Sequence, residues 1–178
     1  MALVKPFIFQ IVGYQNSGKT TISAKLIKFL TDQGIKTVSI KHHGHGGKPD
    51  VLEQKDSSRH LRSGALAVIV EGGGRTILQT DMQNLNLQDQ IQLLNFFQPD
   101  VILIEGYKQE KYPKLLLLKN KEDLPLLTSV SNICAVGSWS QESDTEYMYP
   151  SFSINDEAII SWTAEFIKGN VHKNDEKS

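Results

Sequence analysis

The stretch Phe7–Thr21, FIFQIVGYQNSGKTT, decides how the rest of the chain is read. Phe7 to Val12 is a short run dominated by apolar residues, the pattern of a strand covered on both faces. Lys19 to Leu30 sets Ile22, Leu26, Ile27, Phe29 and Leu30 at helical spacing, and Gly34 supplies a stop. Between strand and helix lies Gly13-Tyr14-Gln15-Asn16-Ser17-Gly18, followed by Lys19-Thr20-Thr21. Glycines admit backbone angles that side chains forbid, so successive N–H groups can turn inward on an anion. The amino end of the following helix adds partial positive charge. Gly13-x4-Gly18-Lys19-Thr20 therefore reads as a polyphosphate cradle of Walker A type. The amides of Gly13, Gln15, Asn16, Ser17 and Gly18 form its wall. Lys19 reaches the β- and γ-phosphates, the Thr20 hydroxyl binds Mg²⁺, and Thr21 meets the α-phosphate.

Working outward, the alternation of apolar strands with helices predicts an α/β P-loop NTPase fold with a mostly parallel central sheet. Lys36 to Lys41 is a second strand, Ala65 to Val70 a third, Val101 to Ile104 a fourth, and Leu115 to Leu118 and Ile133 to Val136 are further ones. Thr76 to Thr80 follows the Gly72-Gly73-Gly74 turn and either pairs antiparallel or leaves the sheet. Helices are expected over Asp56–Ser63, over Leu87–Phe97 ahead of Pro99, and over Asp156–Lys168, the last closed by Gly169. Gly137–Pro150 is the candidate irregular excursion. The domain is expected to span residues 1–172, with 173–178 a frayed polar tail.

At 178 residues the chain suits one domain. A net charge of −1 argues against bulk attraction to nucleic acid or an anionic membrane. Phe7–Val12 is too short to cross a bilayer and lacks a small-residue cleavage site, so a cytoplasmic location is expected. Cys134, the single cysteine, reads as a buried strand residue.

A carboxylate at the carboxyl end of a buried strand can hold Mg²⁺ directly or through water. Asp100-Val101-Ile102-Leu103-Ile104-Glu105-Gly106 supplies one, Glu105; Asp100 lies at the wrong end. Val68-Ile69-Val70-Glu71-Gly72 imitates the pattern without nucleotide features beside it. Asp50 and Asp56 are open between a second metal or water contact and ordinary helix caps. After Leu115–Leu118 comes Asn120-Lys121-Glu122-Asp123, an N-K-x-D pattern. Its aspartate can accept from the guanine N1–H and exocyclic amine, a donor pair adenine lacks, which points to GTP. A charged turn is the alternative. In Lys41-His42-His43-Gly44-His45-Gly46, Lys41, His42 and His45 would face the phosphates of the nucleotide or of a second ligand. Metal ligation and plain surface histidines are the alternatives.

Together GYQNSGKTT, IKHHGHG, KDSSRHLRSGA and ILIEGYK, in this order over Phe7–Lys108, resemble the MobB family of molybdopterin-guanine dinucleotide biosynthesis adaptor proteins. Lys41-His42-His43-Gly44-His45 departs from the family's Lys-His-x-His-His; His42 and His45 still match. The resemblance implies a homodimeric GTP- and Mg²⁺-binding protein with weak GTPase activity. It would assist a MobA-like molybdenum cofactor guanylyltransferase and meet molybdopterin. Slow hydrolysis also follows from the residues, since Arg59, Arg62 and Arg75 are candidates for a catalytic arginine by position alone. The competing readings are a small-molecule kinase on the same P-loop and a GTPase metallochaperone using the histidine loop.

Overall fold

The structure, a computed structural model, describes residues 5–42, 57–82, 85–139 and 148–175. Strands β1 (Phe7–Val12), β2 (Thr37–Lys41), β5 (Val101–Glu105), β6 (Lys114–Leu118), β7 (Ile133–Ser138) and β8 (Ser151–Ser153) form one sheet in the order β2-β5-β1-β6-β7-β8. All five neighbouring pairs are parallel. Strands β3 (Ala67–Gly72) and β4 (Arg75–Thr80) form a separate antiparallel hairpin.

Burial on both faces explains why the sheet strands lack alternation. Along β6, Leu115 and Leu117 join Phe9, Ile11 and Leu103 under helices α1 (Lys19–Asp32) and α5 (Ala158–Asp175). Leu116 and Leu118 face the other way, with Val12, Leu126, Val130 and Val136. In β5, Ile102 and Ile104 meet Leu87 and Ile91 of α3 (Leu87–Leu94). Strands β1, β5, β6 and β7 thus feed cores on both faces of the sheet, and fully burying such a side chain contributes roughly 1.5–3 kcal/mol. Tilted and stacked ring contacts among Phe7, Phe9, Trp162 and Phe166 tie α5 to β1.

Several expectations shift. The third strand is displaced to Ala67–Gly72 and stands outside the six-stranded sheet; among the described residues it pairs with β4 alone. Helix α5 runs through Gly169 to Asp175, past the expected stop and into the segment expected as tail. One glycine costs a helix interior only about 1 kcal/mol, and the apolar contacts on both sides of it, Ile167 and Val171, outweigh that. The short α4 (Leu126–Ser129) and strand β8 carry too few residues for a periodic signal, and neither is foreseen. Cys134 lies in β7 as expected but is half-buried rather than buried. The expected helix at Asp56–Ser63 is α2 (Ser57–Arg62); Asp56 and Asp50 lie outside the described residues.

Candidate functional site

Strand β1 lies where the sheet order reverses, with β5 on one side and β6 on the other. Crevices at the carboxyl ends of parallel strands open at such a switch point. A cleft of about 850 Å³ does so here, floored by Gly13–Thr21 and walled by Lys41, His42, Glu105–Glu110 and Trp139.

The loop's glycine is fixed by contact. A Cβ on Gly13 would stand 2.4 Å from Ser17 Oγ and 2.6 Å from the backbone oxygen of Leu117, which cannot move aside without breaking the sheet. Gly18 caps α1 in the left-handed region at φ 94°, and Asn16 is also left-handed at φ 60°. The Lys19 ammonium turns back onto its own loop, donating to the Tyr14 carbonyl at 2.6 Å. Burial pushes Lys19 below its ordinary value; Glu105 opposes this, while Lys108 and Lys41 add to it.

Three side chains from three elements meet beside the loop. The Thr20 hydroxyl, in the first turn of α1, donates to Glu105 Oε1 at 2.8 Å. The Lys41 ammonium donates to Thr20 Oγ1 at 3.0 Å and stands 3.6 Å from Glu105 Oε1. Parallel pairing causes this, because Lys41 and Glu105 are register partners at the ends of β2 and β5. The hydroxyl–carboxylate pair is a hard-oxygen donor set of the kind Mg²⁺ takes alongside phosphate and water. Asp100, at the other end of β5, accepts from the Lys36 amide at 2.7 Å and holds the strand instead.

The wall beyond Glu105 turns sharply. Gly106 (φ 99°) and Tyr107 (φ 53°) are both left-handed. A Cβ on Gly106 would come 3.1 Å from His42 Cβ, so a glycine lets His42 pack against the turn. The His42 ring lies 4.3 Å from the Tyr107 ring, and its amide donates to the Glu105 carbonyl. Gln10 of β1 anchors the turn by donating to both the Gly106 and Tyr107 carbonyls. Lys108 sits 4.3 Å above the Tyr14 ring, joining this wall to the floor.

Gly13, Gln15, Asn16, Ser17, Gly18, Lys19, Thr20, Thr21, Lys41, His42 and Glu105 therefore share one cleft. Asn120, Lys121 and Asp123 do not line it. Asn120 caps a short 3-10 turn, Lys121–Asp123, by accepting from the Glu122 amide. Asp123 is buried, and its Oδ2 accepts from the Lys119 amide at 2.6 Å. His43 and His45 lie outside the described residues, among which no cluster of three potential metal-ligating His, Cys, Asp or Glu side chains occurs. Arg59, Arg62 and Arg75 are on α2 and β4, not on the cleft wall.

Trp139 is the residue that sequence reasoning missed. It follows β7, donates from Nε1 to the Ser17 carbonyl at 3.0 Å, and packs its ring against Gly18. Counting strand ends would have found it, since every parallel strand of this sheet delivers its next residues to the same edge. Tyr14 and Lys108 line the cleft as well, beyond the residues that the phosphate motif singles out.

Known proteins resemble this arrangement. The family described as Molybdopterin guanine dinucleotide synthesis protein B matches residues 8–139. A curated Bacillus subtilis protein named as a probable molybdopterin-guanine dinucleotide biosynthesis adapter protein is 42% identical over 173 residues, covering 95% of this chain and 98% of its own. The crystal structure of Bacillus subtilis MobB superposes with a TM-score of 0.75 at 33% identity, covering 89% of this chain and 96% of that one. The hydrogenase maturation factor HypB from Archaeoglobus fulgidus, at 14% identity, a TM-score of 0.50 and coverage of 94% and 91%, shares the fold alone. With a phosphate loop, a hydroxyl–carboxylate pair and a His42–Gly106 wall on a parallel sheet, the chain belongs to the MobB family.

Proposed function

We propose that the cleft binds GTP with Mg²⁺, and that the protein acts as an adapter in molybdopterin-guanine dinucleotide biosynthesis beside a guanylyltransferase of MobA type. The observation that carries this is the convergence of Lys19, Thr20 and Glu105 on one cleft at the switch point. Thr20 and Glu105 would hold the metal, whose chemistry is to neutralise phosphate charge and fix the oxygens it touches. The adapter role rests on the family relationship and on the names its relatives carry. Guanine is the base favoured by the Asn120-Lys121-Glu122-Asp123 spelling, which follows β6, the strand beside β1, and stands outside the cleft lining itself. Hydrolysis is slow in this reading: the cleft wall carries no arginine to meet charge developing in transfer. The site works in the cytoplasm, and no helix among the described residues is long and apolar enough to span a membrane.

A second copy of the chain is the partner we assign to the β3–β4 hairpin. Ile69, Val70, Ile77 and Leu78 are exposed there, and among the described residues each strand pairs with the other alone, so each has an outer edge that a second copy can meet. The test of the nucleotide reading is GTP titration of the native chain and of Lys19→Ala. Binding should be lost with the fold intact; equal affinity for the two would refute the phosphate assignment. Asp123→Ala should erode the preference for GTP over ATP, and capture of a guanylyltransferase should depend on bound nucleotide.

A further inference from the structure

We infer that Lys41 is a resident counter-cation of the Thr20–Glu105 pair, which it occupies when metal is absent and yields when metal enters. The inference rests on the cleft being a nucleotide–metal site and adds a role for one side chain in it.

The geometry is that of a cation between two oxygens. Lys41 Nζ is 3.0 Å from Thr20 Oγ1 and 3.6 Å from Glu105 Oε1, while Thr20 donates its own proton to that carboxylate. The Thr20 hydroxyl is thus used as acceptor from Lys41 and donor to Glu105, and nothing more is needed to satisfy it. Register holds the arrangement: the Lys41 backbone pairs with Glu105, so the ammonium is tethered above the carboxylate by a fixed strand end. The Glu105 side chain is 11% exposed and the Lys41 side chain 53% exposed. The carboxylate is therefore the fixed partner, and the lysine is the one free to leave.

A divalent ion bound to Thr20 and Glu105 would need the same two oxygens at about 2.0–2.1 Å. An ammonium and a divalent cation cannot share that space, since like charges at such range repel strongly. The four-carbon stem of Lys41 lets its ammonium swing while β2 stays in place. Lys19, Lys108 and the Glu110 carboxylate also border the cleft, and the added phosphates are the largest negative charge there toward which the displaced ammonium can move. Nucleotide can consequently enter without metal, because the carboxylate that would repel its phosphates is already covered.

The experiment is calorimetric titration with GTP, in EDTA and in Mg²⁺, of the native chain, Lys41→Met and Lys41→Arg. Lys41→Met should lose about tenfold or more in EDTA and less than about threefold in Mg²⁺, the loss expected for one charge-assisted contact present in one state alone. Lys41→Arg, which keeps the charge, should restore binding in EDTA. By linkage, the midpoint for Mg²⁺ in the presence of GTP should fall in Lys41→Met by the ratio of those two losses, about threefold or more. Equal losses in both conditions would make Lys41 an ordinary phosphate contact and overturn the inference, as would unchanged binding in EDTA. Failure of the native chain to bind GTP in either condition would overturn the underlying reading first, and that result is visible without any Lys41 variant.

Discussion

Two segments of this chain are spelled almost alike and live in opposite surroundings. Val101–Gly106 reads VILIEG and Val68–Gly72 reads VIVEG: apolar residues, then a glutamate, then a glycine. The first is strand β5, buried along its whole length, with β1 and β2 on either side. The second is most of β3, paired among the described residues with β4 alone, and Ile69 is 67% exposed. Glu105 ends its strand against Thr20 in the cleft; Glu71 ends in solvent beside a turn. The difference teaches that a strand-end carboxylate becomes a candidate metal ligand through its neighbours. What marks β5 is the phosphate loop carried to the same edge by β1.

The comparison breaks most visibly when a charge is placed in each strand. Ile104→Asp puts an unpaired carboxylate into the core that Ile104 shares with Ile40, Leu87 and Ile91, a cost of several kcal/mol that matches much of a domain's stability, so the chain should not fold. Ile69→Asp at the exposed hairpin should change unfolding free energy by no more than about 0.5 kcal/mol per isolated chain. It should instead halve the mass seen in sedimentation, if a second copy covers that surface. Urea unfolding and sedimentation of both variants decide it. Comparable destabilisation by the two would mean that β3 is core after all, and an unchanged native monomer would remove the second copy.

A gentler pair sharpens the functional half. Glu105→Gln keeps the shape and removes the charge, and should weaken the Mg²⁺-dependent part of GTP binding by about tenfold, or about 1.4 kcal/mol. Glu71→Gln should leave it within error. Calorimetry with and without the metal reads both, and equal effects would end the claim that neighbours confer the role.

How far the sequence alone could go follows from the same contrast. The phosphate loop was legible because its glycines, lysine and threonine act at fixed spacing within one strand–turn–helix unit. Glu105 was legible because a solid apolar run ending in a carboxylate, downstream of such a loop, fits a strand buried in a parallel sheet better than any surface position. The place of β3 was not, since apolar content cannot tell a strand covered by the same chain from one left open. Trp139 escaped because its contact with the Ser17 carbonyl joins residues 122 positions apart. The path of α5 through Gly169 was misread because one glycine signals a stop only where packing does not carry the helix onward. Asp123 shows the limit in the other direction: the N-K-x-D spelling is present, while one carboxylate oxygen is used to accept from the Lys119 amide.

One further substitution tests whether the buried sheet can hold a charge that the hairpin would simply expose. Lys114 opens β6 and is fully buried, with Nζ donating to the Glu110 carbonyl at 2.5 Å and to the Ser131 carbonyl at 2.7 Å. Those bonds tie the cleft wall at Glu110 to the turn before β7. Burial lowers the Lys114 ammonium from its ordinary 10.5, with Cys134 and Glu110 opposing. Below the lowered value both folded and unfolded chains carry the proton, and the folded chain bears the cost of burying it. Between the lowered value and 10.5 the unfolded chain holds more protons than the folded one, so this residue's contribution to stability rises with pH. Lys114→Met leaves two carbonyls without their donor and should cost about 1–3 kcal/mol at neutral pH. The gap between native and Lys114→Met should then widen as pH climbs toward 10.5, each unit of lowering adding about 1.4 kcal/mol at the far end of the window. Urea unfolding of both chains from pH 7 upward measures it. A gap that narrows with rising pH would mean that the ammonium, and not the neutral amine, is the form the fold prefers at this position.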